Sequence, residues 1–226
     1  MNYNHIVQYG IDLKCFPLCF NSSLTEKDIN KQECSDGIYL SSDRFSYFNN
    51  TDSEELVILK ITKGNLSTYA QIVGIHSENR NMVLMPSWMV EYLNVDYDEQ
   101  VLLERCMDVN IGLHIRIKPH SIKYASLNDP VSSLRNAFEN YIVLQPNMDI
   151  PLLVDGERLI VSIMDTFSKG PICIRGVELE VEIENPTDYK IKKEEAFDFS
   201  NMLPMPPVEN KQFQGKGYIL GSKIKR

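Results

Sequence analysis

Val83-Leu84-Met85-Pro86-Ser87-Trp88-Met89-Val90-Glu91-Tyr92-Leu93 is the stretch whose reading decides the fold. The apolar run from Met82 to Met85 is short enough for a buried strand and too short for a helix. Pro86 ends it and suits the first turn of a helix, where a missing N–H costs nothing. Behind it, Trp88, Met89, Tyr92 and Leu93 recur at helical spacing and form one apolar face. Trp88, the single tryptophan of the chain, reads as a plug between this helix and the core.

On both sides of this stretch the chain reads as short strands. Leu13 to Phe20 alternates, Leu56 to Thr62 is nearly continuous in apolar residues, and Tyr69 to Ile75, Gln100 to Cys106 and Gly112 to Lys118 continue the pattern. Polar turns at Lys63-Gly64-Asn65, Ser77 to Asn81 and Asp96 to Glu99 separate them. Many short strands joined by tight turns predict a barrel, since closure removes exposed edges. A second short helix is expected near Ser42 to Phe48, with Ser42 as its cap. No internal repeat is evident.

Past Pro119 the pattern changes. Pro130 to Tyr141 reads as an amphipathic helix with Val131, Leu134, Phe138 and Tyr141 on one face and Asp129 as cap. Strands are expected at Ile150 to Val154 and Arg158 to Met164, around an Asp155-Gly156 turn, then at Ile172 to Ile174 and Glu178 to Ile183. From Asn185 apolar periodicity fades and prolines accumulate, so the end of the chain is expected to lack a fold of its own. The division predicted is a barrel over 10–113, an α+β unit over 114–190 and a disordered tail over 191–226.

With 226 residues, 43% hydrophobic and 24% charged, the chain can bury a sizeable core. A net charge of −8 argues against a general nucleic-acid binder, which needs a basic face. No run approaches the ~18 apolar residues of a membrane span. The residues after Met1 lack the pattern of a secretory leader. Five cysteines (Cys15, Cys19, Cys34, Cys106, Cys173), odd in number and irregularly spaced, suggest reduced thiols in the cytosol or nucleus.

Chemistry-bearing motifs are absent. There is no His-Glu-x-x-His, no Cys-x-x-Cys, no nucleophile elbow and no Walker loop. Cys15 and Cys19 share one face of a predicted strand and read as core thiols. His114 and His120 flank a strand end and are not expected to share a metal. Asp96, Asp98 and Glu99 read as acids that solvate a turn. The reading is non-enzymatic, with no cofactor and no metal, although a barrel enzyme stays open as an alternative.

The tail carries Phe213-Gln214-Gly215-Lys216-Gly217-Tyr218-Ile219-Leu220. An aromatic residue and a leucine seven positions apart stand about 23 Å from each other when extended. Gly215 and Gly217 between them let a backbone lie close to another surface. Such a segment is built as a docking peptide, in which anchors give affinity and main-chain bonds give register. A dinucleotide loop is ruled out, because Gly-x-Gly there must follow a strand and open a helix.

Together these residues resemble the ubiquitin fusion degradation 1 family, adaptors of the valosin-containing AAA ATPase. The carriers are the Pro86-x-Trp88-Met89 block, Lys14-Cys15-Phe16, the outline Tyr124, Asp129-Pro130, Leu134, Phe138, Tyr141 and Asp149-Ile150, and the tail box, which is similar to an SHP box. Departures are Leu40-Ser41-Ser42, Pro130-Val131-Ser132 and Pro146 to Asp149, where the family has other residues. The resemblance implies a mainly β fold: a double-psi β-barrel, a small mixed α/β module and a disordered C-terminal tail. It also implies ubiquitin or polyubiquitin binding by the globular part, through residues that the sequence does not identify. Docking on the ATPase N-terminal domain would use Phe213, Gly215, Gly217, Tyr218 and Leu220. The implied setting is the cytoplasm or nucleus, at the ER surface, in ER-associated degradation, with no nucleic acid and no membrane insertion. A nuclear protein localisation 4 homologue is a further partner in the family, bound by a tail longer than the six residues here after Leu220. A divergent paralogue serving an organellar translocation complex is the alternative within the same fold.

Overall fold

The computed structural model describes residues 10–49, 57–127, 129–168, 170–188 and the strand Tyr218–Leu220. Six strands close the first unit: β1 (Ile11–Pro17), β2 (Gly37–Ser41), β3 (Ile58–Lys63), β4 (Leu66–His76), β5 (Met82–Met85) and β6 (Gln100–Cys106). Their order around the barrel is β1-β5-β2-β4-β3-β6. Exchanging β1, β2 and β3 for β4, β5 and β6 leaves this order unchanged. Strand direction obeys the same exchange: β1 with β5 and β2 with β4 are parallel, whereas β3 with β4 and β1 with β6 are antiparallel. This twofold weave is the double-psi barrel. No repeat shows in the residues, because the weave constrains strand paths and burial and leaves side-chain identity free.

Three short helices serve the barrel: α1 (Glu26–Gln32), α2 (Ser42–Asn49) and α3 (Ser87–Leu93). The Met82–Met85 strand and the helix after Pro86 are where the sequence puts them, with Pro86 itself at the N-cap of α3. Pro86 has no side-chain acceptor to offer. Glu33 replaces it, its carboxylate accepting from Ser87 N at 2.8 Å and from Ser87 Oγ at 3.2 Å. An acid at a helix N-terminus satisfies an orphan N–H and complements the dipole. Trp88 is buried, with its Nε1 donating to Ser35 O at 2.9 Å, so the core reading of this residue holds.

Two elements of the barrel unit escape the sequence reading, as do the short strands Asn110–Ile111, Val143–Leu144 and Tyr218–Leu220 elsewhere. Gly37–Ser41 is buried at every position, so β2 has no alternation to betray it. α1 has no fully buried residue: Ile29, its one apolar side chain, packs half-buried against the cluster of Leu18, Tyr39 and Leu84, and a capping box between Thr25 and Asp28 starts the helix. Leu13 to Phe20 is also not one strand. β1 ends at Pro17 and a 3-10 turn follows over Leu18–Phe20. That turn separates the two cysteines: Cys15 is buried in the barrel, as a core thiol should be, whereas Cys19 is exposed, which corrects its assignment to the core.

The second unit is built on β8 (His114–Pro119), preceded by the two-residue strand β7 (Asn110–Ile111). Then come α4 (Pro130–Phe138), β9 (Val143–Leu144), β10 (Met148–Val154), β11 (Glu157–Asp165), β12 (Ile172–Cys173) and β13 (Leu179–Ile183). The last strand described is β14 (Tyr218–Leu220), and the main sheet runs β10-β11-β8-β13-β14. Strands β7, β12 and β9 form a small sheet beside it. Asp129 caps α4 as expected, accepting from Ser132 N at 3.1 Å. Leu134, Ala137 and Phe138 form the buried face of α4, and Tyr141 beyond its end is buried too.

The two units share one hydrophobic core. Leu13, Ile38 and Leu103 of the barrel belong to the same buried cluster as Ile117, Leu134, Val161 and Val181. A polar clamp reinforces the seam. Asp36, just before β2, is fully buried and its carboxylate accepts from Ile142 N (2.6 Å), Val143 N (3.2 Å) and Gln71 Nε2 (2.7 Å). The mainly β fold with barrel and α/β module is thus as the sequence implied. Among the described residues no helix is long and apolar enough to cross a membrane.

Candidate functional site

β13 has β8 on one side, where it pairs in parallel. Glu180 N donates to Leu113 O and Glu184 N to Ile117 O, both at 2.8–2.9 Å, so the even-numbered amides face β8. Successive N–H groups of a strand alternate, so Leu179 and Val181 present theirs to the opposite edge. A bare edge of this kind is a template for another strand. Here Tyr218–Leu220 fills it, antiparallel, with Leu179 opposite Leu220, Glu180 opposite Ile219 and Val181 opposite Tyr218.

The register is selective. Leu179 and Val181 are the β13 residues whose side chains are buried, and Glu180 between them is exposed. Positions 220 and 218 therefore stand opposite the two core-facing residues. Helix α4 runs close to β14. A cavity of about 510 Å³ opens beside the strand pair, lined by Arg135, Phe138 and Tyr141 on one side and Ile174, Val177 and Leu179 on the other. An extended segment with apolar residues at alternate positions is what such an edge accepts.

Of the five residues that the sequence assigns to docking, Tyr218 and Leu220 are in β14. Phe213, Gly215 and Gly217 lie outside the described residues. Tyr218–Leu220, which the sequence reading placed in a disordered tail, is a strand paired with β13.

A second surface was missed by sequence reasoning. Leu113, Ile111, Met164 and Phe167 are exposed large apolar residues around the start of β8 and the end of β11. Phe167 has φ +55°, a left-handed backbone that costs an L-residue with a Cβ about 1–2 kcal/mol. The Asp165 carboxylate holds the turn by accepting from Phe167 N at 2.8 Å. The Phe167 ring stacks on His114 with centroids 4.1 Å apart, and Arg116 Cζ lies 5.1 Å from its centre. Glu182 anchors that cation, accepting from Arg116 Nε at 2.9 Å. Exposed apolar groups set in a polar rim are the composition of a protein-contact surface. A strained, exposed phenylalanine between two strands has no periodic signal that could have revealed it.

The polar residues singled out in the sequence are separated. His114 Nε2 lies 3.4 Å from Glu182 Oε1, whereas His120 Nε2 lies 3.5 Å from Asp149 Oδ1 and 2.8 Å from Ser162 Oγ. Each histidine has its own carboxylate. Asp98 pairs with Lys14 at 2.7 Å and Glu99 with Lys63 at 3.4 Å, so these acids tie a turn to β1 and β3. Among the described residues no three His, Cys, Asp or Glu gather as a metal site would require. Burial pushes the Cys15 and Cys34 thiols above their ordinary range, which makes them poor nucleophiles.

Barrel, fused α+β sheet and shared core define the class: a double-psi β-barrel joined to a small mixed module whose sheet edge takes up an extended segment. Within that class, the chain is 22% identical over 217 residues to ubiquitin fusion degradation protein 1 of Saccharomyces cerevisiae, a match covering 93% of this chain. The similarity is distant, and the chain spans 57% of that protein's length. No protein-family model matches the chain.

Proposed function

We propose that this protein is a non-enzymatic adaptor in ubiquitin-dependent protein degradation. In this reading the globular part binds ubiquitin on modified clients, and the tail box docks on the N-terminal domain of the valosin-containing AAA ATPase. The observation that carries it is the box itself: Phe213-x-Gly215-x-Gly217-x-x-Leu220 follows a globular part similar over most of its length to a ubiquitin fusion degradation protein. The strand at Tyr218–Leu220 supports it as well, because the box includes residues able to pair along a sheet edge. Holding client and ATPase at once raises the effective concentration of one near the other and needs no chemistry of its own. Extraction of clients at the ER surface, and a nuclear protein localisation 4 homologue as co-adaptor, are the finer parts of the proposal.

Calorimetric titration of the chain into the ATPase N-terminal domain tests it, with a Phe213→Ala/Leu220→Ala variant alongside. Binding by the parent, weakened at least tenfold in the double variant, is the expected result. A parent chain that does not bind, or a variant that binds equally, would refute the docking assignment. Ubiquitin and polyubiquitin are the next titrants, for which the double variant should behave as the parent.

A further inference from the structure

We propose that the β13 edge is a receptor for the chain's own strand Tyr218–Leu220, so that these three residues alternate between pairing with β13 (the closed form) and being available to a partner (the open form). The proposal rests on the docking reading for the identity of the partner, but the self-pairing stands on the structure alone.

Three features of the edge argue for an occupant. The Leu179 and Val181 amides point away from β8 and would otherwise face solvent at the rim of the sheet. The segment that covers them comes from the same chain, antiparallel and in a register that matches core-facing positions of β13 with residues 218 and 220. The cavity at this edge shares Leu179 with it, so a groove that mixes apolar walls (Phe138, Tyr141, Ile174) with charged ones (Arg135, Glu139, Arg175) adjoins the strand. The occupant is also the part of the box that an outside receptor would need. Tyr218, Ile219 and Leu220 cannot lie along β13 and along another protein's surface together.

The consequence is competition. A partner that binds the open form alone sees its apparent affinity reduced by the open fraction. Two segments of one chain meet at an effective concentration of about millimolar, enough for three strand residues to be held without a large intrinsic affinity. The globular part thus tunes how available its own tail is. A client that covers the α4–β13 side would release the box, and one that leaves it free would not.

Residue-resolved hydrogen exchange on the full chain decides the matter, comparing the parent with Tyr218→Pro/Leu220→Pro. Proline removes the donors that face β13, in a segment that contributes nothing to closing the barrel. The Leu179 and Val181 amides should exchange at least tenfold faster in the variant. The Glu180 and Glu184 amides, bonded to β8, should not change. Equal rates at Leu179 and Val181 in the two proteins would overturn self-pairing. Protection that grows with protein concentration would also overturn it, by placing the strand in a second copy. A further arm adds the ATPase N-terminal domain to the parent. Loss of protection at Leu179 and Val181 on binding is expected, and binding with protection intact would refute competition. If the domain does not bind, the docking reading fails while the first comparison still decides self-pairing. Val181→Pro blocks the acceptor edge with the box unaltered and should tighten ATPase binding by the same factor that exchange reports, with a thermal melt confirming that it folds.

Discussion

The carboxylate of Asp36 accepts a 2.6 Å hydrogen bond from the backbone N–H of Ile142, 106 residues further along the chain. One acid before the second barrel strand therefore holds the start of β9, and with it the seam between the two units. Burial pushes its pKa up to about 6, although the N–H groups of Ile142, Gln71 and Val143 favour the charged form. Desolvation wins because the group is wholly removed from water and no cation faces it among its hydrogen-bond partners.

That shift predicts a pH dependence. The folded pKa lies above the unfolded value, so the native state holds the proton more tightly. The resulting stabilisation is complete below about pH 4 and is lost as pH rises through about 6. Asp36→Asn removes this titration. The unfolding free energy of the parent relative to the variant should fall by up to about 3 kcal/mol between pH 3.5 and pH 7, measured by urea denaturation. A difference independent of pH would show that folding leaves the Asp36 pKa where it is in the unfolded chain, and one that rises with pH would show that the fold holds the carboxylate charged.

Trp88 is both a plug and a donor. Trp88→Phe keeps most of the apolar volume and leaves the Ser35 carbonyl without its 2.9 Å partner. The expected loss is about 1–3 kcal/mol, smaller than the ~3–5 kcal/mol of Trp88→Ala, which also opens a cavity. Thermal and denaturant unfolding of the two variants would establish the order, and equal losses would mean the hydrogen bond is the dominant contribution.

At Phe167 the usual ranking of glycine and alanine should reverse. Both substitutions remove the ring from His114 and Arg116, but alanine retains the strain at φ +55° and glycine does not. Phe167→Gly should therefore be more stable than Phe167→Ala by about 1 kcal/mol. Alanine as the more stable of the two would mean the turn relaxes when the ring is lost.

Thiol reactivity should follow burial. Cys19 is exposed, whereas Cys15 and Cys34 are buried with thiols held above their ordinary range. A thiol reagent should modify Cys19 first in the native protein and reach Cys15 and Cys34 only on unfolding. Early labelling of Cys15 would contradict the closed barrel at β1.

Gly74 packs against Tyr39, and a Cβ there would meet the ring at 2.7 Å. Gly74→Ala should cost about 1–3 kcal/mol through displacement of that ring, read from denaturant midpoints. Gly64, with φ +58° and open space around it, should lose about 1 kcal/mol as alanine for the different reason of backbone strain.

Elements with their own local signal were legible. Met82–Met85, Gln100–Cys106, the Pro86 helix start, the Asp129 cap and the Asp155-Gly156 turn all announce themselves through apolar runs, proline, a capping oxygen or a glycine. β2 did not, because a strand buried on both faces loses its alternation, and α1 did not, because the single half-buried Ile29 gives it no apolar periodicity. Of the candidate site, the sequence shows the glycines and apolar residues of the tail and leaves their role to experiment. The acceptor edge could not be read, since β13 looks like any short strand until its neighbours are known.

By itself the sequence determined which segments are strands or helices wherever burial is one-sided, that the chain has a core, and that its end carries two glycines between an aromatic residue and a leucine. These follow from local spacing and chain stiffness, which nearest neighbours along the chain decide. Tertiary structure alone decided the twofold order of the barrel, the Asp36 seam, the apolar group around Phe167 and the pairing of Leu179 with Leu220. Each joins residues far apart in the chain, and such partners are selected by geometry and shared burial, which leave no periodic mark on either segment.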